Sequence, residues 1–323
     1  MAAGENPIVL IAGTAHPAFA QKVSDALGVK LLDVKHYNFA DGEVGFRLEE
    51  SVRGADVYVI QPTCKPVNDN LMELLIMVDA LKRSSAGHIN LVMPYFGYAR
   101  QDRQAKGREP ISAKLVANII ERAGVDRVVT ADLHARQIQG FFDIPVDHLL
   151  GVPLLAHWFK ENAMKGRAPG EFVVVSPDAG GVVRARKMAT LLGTEISIVD
   201  KRRHHDMANL CEVMEIIGTD VAGKSCIIID DMIDTAGTIV NAAKALKSLG
   251  AASVYCSATH GLLSGPAIDR LSDDAVTKVV VTDTIPLPAE RKLDKIIHVS
   301  MAPVFAEAIR RIHTGASVSN LFE

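Results

Sequence analysis

Apolar runs of two lengths alternate along this chain from Pro7 to Gly315, and that alternation limits the fold more than any other feature. Runs of roughly four to eight residues rich in Val and Ile read as buried strands. Longer stretches with apolar residues three and four apart read as helices. PIVLIAG (7–13), ADVYVIQP (55–62), INLVMP (89–94) and DRVVTADL (126–133) are the first strands. HPAFAQKVSDALG (16–28), NDNLMELLIMVDALKRSSAG (68–87) and ISAKLVANIIERAG (111–124) are the helices among them. Gly28 closes the first helix; the second has an Asn/Asp start and a Gly stop. Strands separated by helices pair in parallel and are covered on their faces.

The pattern restarts after FFDIPVDHLLGVPLL (141–155). EFVVVSP, EISIVDK, SCIIIDD, ASVYCSATHG, KVVVTDTI and KIIHVSM read as strands. GVVRARKMATLLG, TAGTIVNAAKALKSLG and the closing APVFAEAIRRIHTG read as helices. A chain of 323 residues exceeds one ordinary core. The expected fold class is therefore α/β, with two similar doubly wound parallel-sheet domains. The boundary falls at the Gly151–Pro153 break, giving residues 1–150 and 151–323, and the last helix is free to pack back on the first domain.

Composition narrows the function. About half the residues are apolar, and the net charge is −3, which does not suit a general nucleic-acid or membrane binder. No apolar run approaches the roughly 20 residues of a membrane span. The N-terminus has no basic segment followed by a long apolar one. Cys64, Cys211, Cys226 and Cys256 lack metal-binding spacing, and Cys226 and Cys256 sit inside expected strands, as buried free thiols do. A cytoplasmic protein is expected.

CIIIDDMIDTAGTIV (226–240) carries the chemistry. Asp230 and Asp231 end a buried strand, where open α/β sheets place their ligands. Two carboxylates there repel unless a cation or hydrogen-bond donor lies among them. Asp234, Thr235, Ala236, Gly237 and Thr238 then lead into a helix. Hydroxyls, a glycine and unpaired helix N–H groups make a cradle for a phosphate monoester. The acidic pair suits ribose hydroxyls or a hydrated cation. Strand end, turn and helix together fit a phosphorylated sugar. The plainer alternative makes Asp234 a helix cap and leaves the other carboxylates solvated. Neither a Walker nor a dinucleotide-binding glycine motif is present.

IIIDDMIDTAGT resembles the PRPP-binding motif of the type I phosphoribosyltransferase fold, and its DDMIDT spelling resembles the ribose-phosphate pyrophosphokinase family. FADGEV, MPYFGYARQDR, VSPDAGGVVRARKMA, DKRR and THGLLSGPAIDRL, among other stretches, agree in order along nearly the whole chain. The resemblance implies transfer of the β,γ-pyrophosphoryl group of ATP to O1 of ribose 5-phosphate, with Mg²⁺ as cofactor. It assigns Phe39, Asp41, Gly42, Glu43, Arg100 and Gln101 to ATP. It assigns Arg203, Asp230, Asp231, Asp234, Thr235, Ala236, Gly237 and Thr238 to ribose 5-phosphate. His134 and Asp178 become metal ligands, and Lys201 and Arg203 catalytic residues of a flexible loop. HHDMAN (204–209) lengthens that loop relative to the family's usual spelling. The loop at 39–43 is expected to serve a neighbouring subunit, so a homo-oligomer, commonly a hexamer, is implied. A PRPP-consuming phosphoribosyltransferase and a catalytically silent homologue are the rival readings. The ATP residues oppose the first, and the complete set of reactive residues opposes the second.

Overall fold

The computed structural model describes residues 6–203, 212–287 and 293–322. They divide into two compact units. One comprises Met1–Leu150, Thr284–Pro286 and Ser300–Glu323; the other comprises Gly151–Asp283 and Leu287–Val299.

The first unit contains β1 (Ile8–Ala12), α1 (Pro17–Leu27), β2 (Val34–Asn38), β3 (Val44–Leu48), β4 (Asp56–Ile60), α2 (Val67–Arg83), β5 (His88–Met93), α3 (Ser112–Ala123), β6 (Arg127–Ala131) and β7 (Val146–Leu149). Its parallel sheet has the order β1-β4-β5-β6-β7. Leu31, just after α1, bridges to Leu10 in parallel sense, and Leu32 N donates to Leu10 O at 2.8 Å. The chain thus leaves β1 in one direction and returns to β4 on the other side, so the winding switches between β1 and β4.

The second unit repeats that scheme. It contains α4 (Val152–Glu161), β8 (Phe172–Ser176), α5 (Val182–Leu192), β9 (Glu195–Arg203), β10 (Glu212–Gly218), β11 (Ser225–Ile233), α6 (Gly237–Ser248), β12 (Ser253–Gly261), α7 (Ala267–Leu271), β13 (Lys278–Thr282) and β14 (Ile296–Val299). The sheet order is β10-β9-β8-β11-β12-β13-β14. From β8 the chain moves through α5 to β9; from β11 it moves through α6 the opposite way to β12. The switch lies between β8 and β11. Central strands are buried on both faces: Cys226–Ile229 and Phe172–Val175 are fully buried, which explains their unbroken apolar runs.

Several elements depart from the expectations. β2 and β3 form an antiparallel hairpin, and β10 runs antiparallel to β9, so the sheets are not wholly parallel. VKHYN has a single aliphatic residue and gives little signal, whereas VGFRL alternates through Val44, Phe46 and Leu48 but is only five residues long. β7, α4 and the short α7 also escaped the pattern. α2 starts at Val67 after Pro66 and ends at Ser84, not at a glycine. Asn70 is not its cap; its buried amide donates to Cys64 O at 2.8 Å.

The last helix, α8 (Ala302–Thr314), belongs to the first unit. It packs on α1, where the buried rings of Phe19 and Phe305 meet edge-on at 5.6 Å. His313 Nδ1 lies 3.0 Å from Asp56 Oδ2, a carboxylate that also receives His88 at 2.8 Å and Asn6 at 3.1 Å. Burial would push the Asp56 carboxyl up, but these partners hold it below its ordinary value. Cys64, Cys226 and Cys256 are buried and free, with burial pushing the thiols up to about 11, about 12 and about 12. None is a reactive thiolate.

Candidate active site

The carboxyl ends of β8 and β11 are neighbours across the switch of the second unit. β11 runs past the acidic pair to Ile233, so Asp230 and Asp231 lie within the strand near its carboxyl end, with their carboxylates brought to one cation. Asp231 is buried; the Asp230 side chain is 27 % exposed. The cation that the pair demands is Arg184 of α5. Its Nη1 lies 3.2 Å from Asp230 Oδ1 and 3.9 Å from Asp231 Oδ1. Asp231 N also donates to Asp230 Oδ1 at 2.8 Å. Burial, then the Asp231 charge, still pushes the Asp230 carboxyl up to about 7, against the opposing pull of Arg184. Sequence reasoning missed Arg184. The signal was present as an arginine one turn into the helix that follows the partner strand.

Beyond β11 the chain makes a tight turn into α6. Ala236 sits at the helix start with φ 60°, in the left-handed region, and no side chain caps the helix. Ala236, and not Asp234, occupies the cap position. Thr235 and Thr238 are exposed at the start of α6, where helix N–H groups suit an anion. Three hydrogen bonds hold the turn from outside. Leu263 N donates to Ile233 O at 3.0 Å, Ser264 N to Asp234 O at 2.9 Å, and Arg270 Nη1 to Thr235 O at 2.9 Å. A methyl group on Gly237 would come within 3.1 Å of the Arg270 guanidinium, so glycine lets that arginine close over the turn. Arg270 was not singled out in the sequence either.

Asp178 follows β8 and is exposed. Its Oδ1 accepts Gly181 N at 3.0 Å, while Ser176 Oγ donates to Asp178 O at 2.6 Å. The loop is thus fixed from both ends, with Gly181 at the start of α5. Lys201 and Arg203 lie at the end of β9, where their backbones pair with Met214 and Glu212. The strand continues through these residues, so they do not start a free loop as the sequence suggested. Their side chains, and the whole HHDMAN segment, lie outside the described residues.

The nucleotide candidates all fall in the first unit. Phe39, Asp41, Gly42 and Glu43 form the turn of the β2–β3 hairpin. Phe39 N donates to Glu43 O at 2.8 Å, Gly42 N to Phe39 O at 3.0 Å, and Glu43 N to Asp41 Oδ1 at 3.1 Å. Phe39 is 52 % exposed and stacks edge-on against the equally open Tyr37. Two aromatic rings left in water at a hairpin tip indicate a contact surface. Arg100 and Gln101 are exposed in the loop after β5. Gln101 is fixed by Ser112 Oγ at 2.5 Å, and its carbonyl accepts Ala113 N at 3.2 Å. His134 is exposed after the adjacent β6. Leu133 N beside it donates to His148 Nε2 at 2.9 Å, and Gln137 Nε2 joins the two loops through Asp102 Oδ2 at 2.9 Å. Tyr98 (φ 63°) and Asp132 (φ 27°) place non-glycine residues in the left-handed region within these loops. Such strain persists where surrounding structure enforces it, often at functional sites.

The switch of the first unit differs from its counterpart. The loop after β1 is filled by the unit's own side chains. Buried Glu73 accepts Thr14 N at 3.0 Å, Thr14 Oγ1 at 2.6 Å and Gln61 Nε2 at 3.0 Å. Gln61 Oε1 accepts Ala15 N at 3.0 Å, and a methyl on Gly13 would collide with it at 2.2 Å.

Among the described residues, no group of three or more His, Cys, Asp or Glu stands ready to hold a metal ion. The donor set nevertheless fits Mg²⁺, which is commonly held by one or two carboxylates, with waters and substrate phosphates completing the shell. Exposed Asp178 and the acidic pair supply oxygen of that kind.

A doubly wound unit with an acidic strand end followed by a tight turn into a helix is the arrangement of the phosphoribosyltransferase class. Comparison with known proteins narrows that class. Residues 8–124 match the profile described as the N-terminal domain of ribose phosphate pyrophosphokinase, and residues 173–323 match the phosphoribosyl synthetase-associated domain. The ribose-phosphate pyrophosphokinase of Caldanaerobacter subterraneus subsp. tengcongensis is 58% identical over 322 residues, covering 100% of both chains. Ribose-phosphate pyrophosphokinase 2 of Enterococcus faecalis is 60% identical over 304 residues, covering 94% of this chain and 92% of that one. The crystal structure of phosphoribosylpyrophosphate synthetase from Mycobacterium smegmatis superposes with a TM-score of 0.89 at 43% identity, covering 96% of this chain and 100% of that one. The chain belongs to the ribose-phosphate pyrophosphokinase family, and its fold is the type I phosphoribosyltransferase fold.

Proposed function

We infer that the protein is a ribose-phosphate pyrophosphokinase, converting ATP and ribose 5-phosphate into PRPP and AMP for nucleotide biosynthesis. The observation that carries this reading is the cradle at the end of β11: an acidic pair balanced by Arg184, then a tight turn into α6 held by Arg270. The 5-phosphate sits on the α6 N-terminus and the hydroxyls of Thr235 and Thr238, with the turn Asp234–Ala236–Gly237 shaping the seat. Asp230 and Asp231 accept hydrogen bonds from the ribose hydroxyls. Phe39, Asp41, Gly42 and Glu43 grip adenine and its ribose, and Arg100 and Gln101 contact the nucleotide. Arginine's planar fork suits either phosphate pairing or base stacking.

The O1 oxygen of the sugar attacks the β-phosphorus of ATP. The bond from that phosphorus to the oxygen bridging it to the α-phosphorus breaks, AMP leaves, and O1 loses its proton. Lys201 and Arg203 place positive charge where negative charge builds, with Arg203 also contacting the sugar phosphate. His134 and Asp178 are the proposed ligands of Mg²⁺; oxygen donation makes Asp178 the better matched of the two. The bound cation supplies charge neutralisation on the transferred phosphates.

The 1–150 and 151–323 halves divide the work, ATP to the first and ribose 5-phosphate to the second. Exposed Tyr37 and Phe39, together with Ile111, Leu115 and Ile119 spaced four apart at α3, support a homo-oligomer with composite nucleotide sites. No helix among the described residues is long and apolar enough to cross a membrane, and we assign the enzyme to the cytoplasm. Incubation with ATP, Mg²⁺ and ribose 5-phosphate tests the reading. AMP and PRPP must appear in equal amounts; ADP as the sole nucleotide product overturns it.

A further inference from the structure

His36 of β2 ties the hairpin that carries Phe39, Asp41 and Glu43 to the body of the first unit. Its Nε2 lies 3.0 Å from Ala12 O, and its Nδ1 lies 2.9 Å from Glu73 Oε1. A carbonyl oxygen only accepts, so Nε2 must carry hydrogen. The Nδ1 contact is a close ion-pair approach, set off the line of a straight hydrogen bond. A carboxylate 2.9 Å away favours the ring form in which Nδ1 carries hydrogen as well. Both nitrogens protonated means an imidazolium. Glu73 is held as its carboxylate by the donors Thr14 N, Thr14 Oγ1 and Gln61 Nε2. The His36 side chain is 21 % exposed and that of Glu73 is 6 % exposed, so the pair is shielded from bulk solvent.

We propose that the His36–Glu73 pair is a positioning device, which fixes the register of the β2–β3 hairpin and thereby the nucleotide-gripping turn at its tip. This rests on the assignment of that turn to ATP. Val34, Phe46 and Leu48 already pack the hairpin on the core. Apolar contact is non-directional, however, and leaves sliding and rocking open. The charged pair supplies direction. It is anchored on α2 by Glu73 and on the end of β1 by Ala12, and His36 lies three residues before Phe39.

Protonation follows the same geometry. The Glu73 bond raises the His36 value above its ordinary one, against the opposing effect of burial. Burial alone would raise Glu73, yet the bonds from His36 and Thr14 hold it below its usual range. Among the described residues Glu73 is the charged group that faces His36. The Phe46 ring covers it from β3, while Lys35, Arg47 and Glu49 pair with one another elsewhere on the hairpin. A histidine raised in this way keeps its anchoring charge below its ordinary value and loses it as pH climbs through the raised one.

Glu73→Gln keeps the shape and one accepting oxygen but removes the charge, and its NH2 gives up the bond from either Thr14 N or Gln61 Nε2. ATP affinity, followed by calorimetry at neutral pH, should weaken about tenfold while ribose 5-phosphate affinity stays within twofold. The alkaline loss of ATP affinity should move to lower pH, because the histidine without its carboxylate deprotonates sooner. Glu73→Asp should rescue part of the effect. Phe39→Ala serves as the companion variant. If Phe39→Ala weakens ATP but Glu73→Gln leaves both affinity and the alkaline limb in place, the positioning role is overturned and the pair only stabilises the fold. If Phe39→Ala itself leaves ATP binding intact, the assignment of the hairpin tip fails first, and the anchor inference falls with it.

Discussion

Asp230, proposed to contact the ribose, sits where its charge costs stability. Its carboxyl is pushed up to about 7 by burial and by Asp231. The folded chain therefore holds a proton that the unfolded chain has released, between about pH 4 and about pH 7. A carboxyl raised on folding stabilises below its unfolded value, and that contribution is lost as pH rises through the folded one. The ligand-free protein should accordingly lose stability across this window. At pH 8, Asp230→Asn should raise the unfolding free energy by about 1–2 kcal/mol in urea titrations, while ribose 5-phosphate affinity falls. A variant no more stable than the parent at pH 8 would show that Arg184 fully balances the pair. Arg270 gives a second test at this scale. Arg270→Met removes the donor to Thr235 O and should weaken ribose 5-phosphate about tenfold, or about 1.4 kcal/mol, with ATP affinity unchanged in separate calorimetric titrations.

Elements explain which features were legible in the sequence. Central strands announce themselves because burial on both faces requires an unbroken apolar run, as in Cys226–Ile229. The strand–turn–helix junction after Asp231 was visible because a buried apolar run, a Thr- and Gly-containing turn and a helical pattern follow one another. β2, β3 and β10 were not read: they are edge or hairpin strands, β2 has only one aliphatic residue, and the alternation of VGFRL in β3 spans only five residues. Arg184 and Arg270 escaped for a different reason. Each acts through a partner 46 or 35 residues away, and sequence spacing does not encode which side chain reaches across a fold. The β9–β10 arm carries its own prediction. Lys201→Ala should cut kcat by about 100-fold or more and leave both substrate dissociation constants near the parental values, because its charge acts on the transition state. Near-normal turnover in steady-state kinetics would remove Lys201 from the mechanism.

At the scale of the whole molecule, the proposed division of labour requires more than one chain. If the hairpin tip of one subunit completes the nucleotide site of another, Phe39→Ala and Lys201→Ala damage the same site from different chains. Each homogeneous variant should be nearly inactive at sub-saturating ATP. Subunits dissociated, mixed and reassembled should regain activity, since some sites then receive an intact tip and an intact lysine. Absence of recovery in verified mixed assemblies would place both residues in one chain's site. A further consequence lies in the crevice between β1 and β4. Duplicated halves suggest two pentose seats, yet Glu73 and Gln61 stopper the first from within, and a carboxylate there turns away a phosphate. Saturation should end at one equivalent of ribose 5-phosphate per polypeptide, so the twofold architecture yields a single turnover centre rather than a pair.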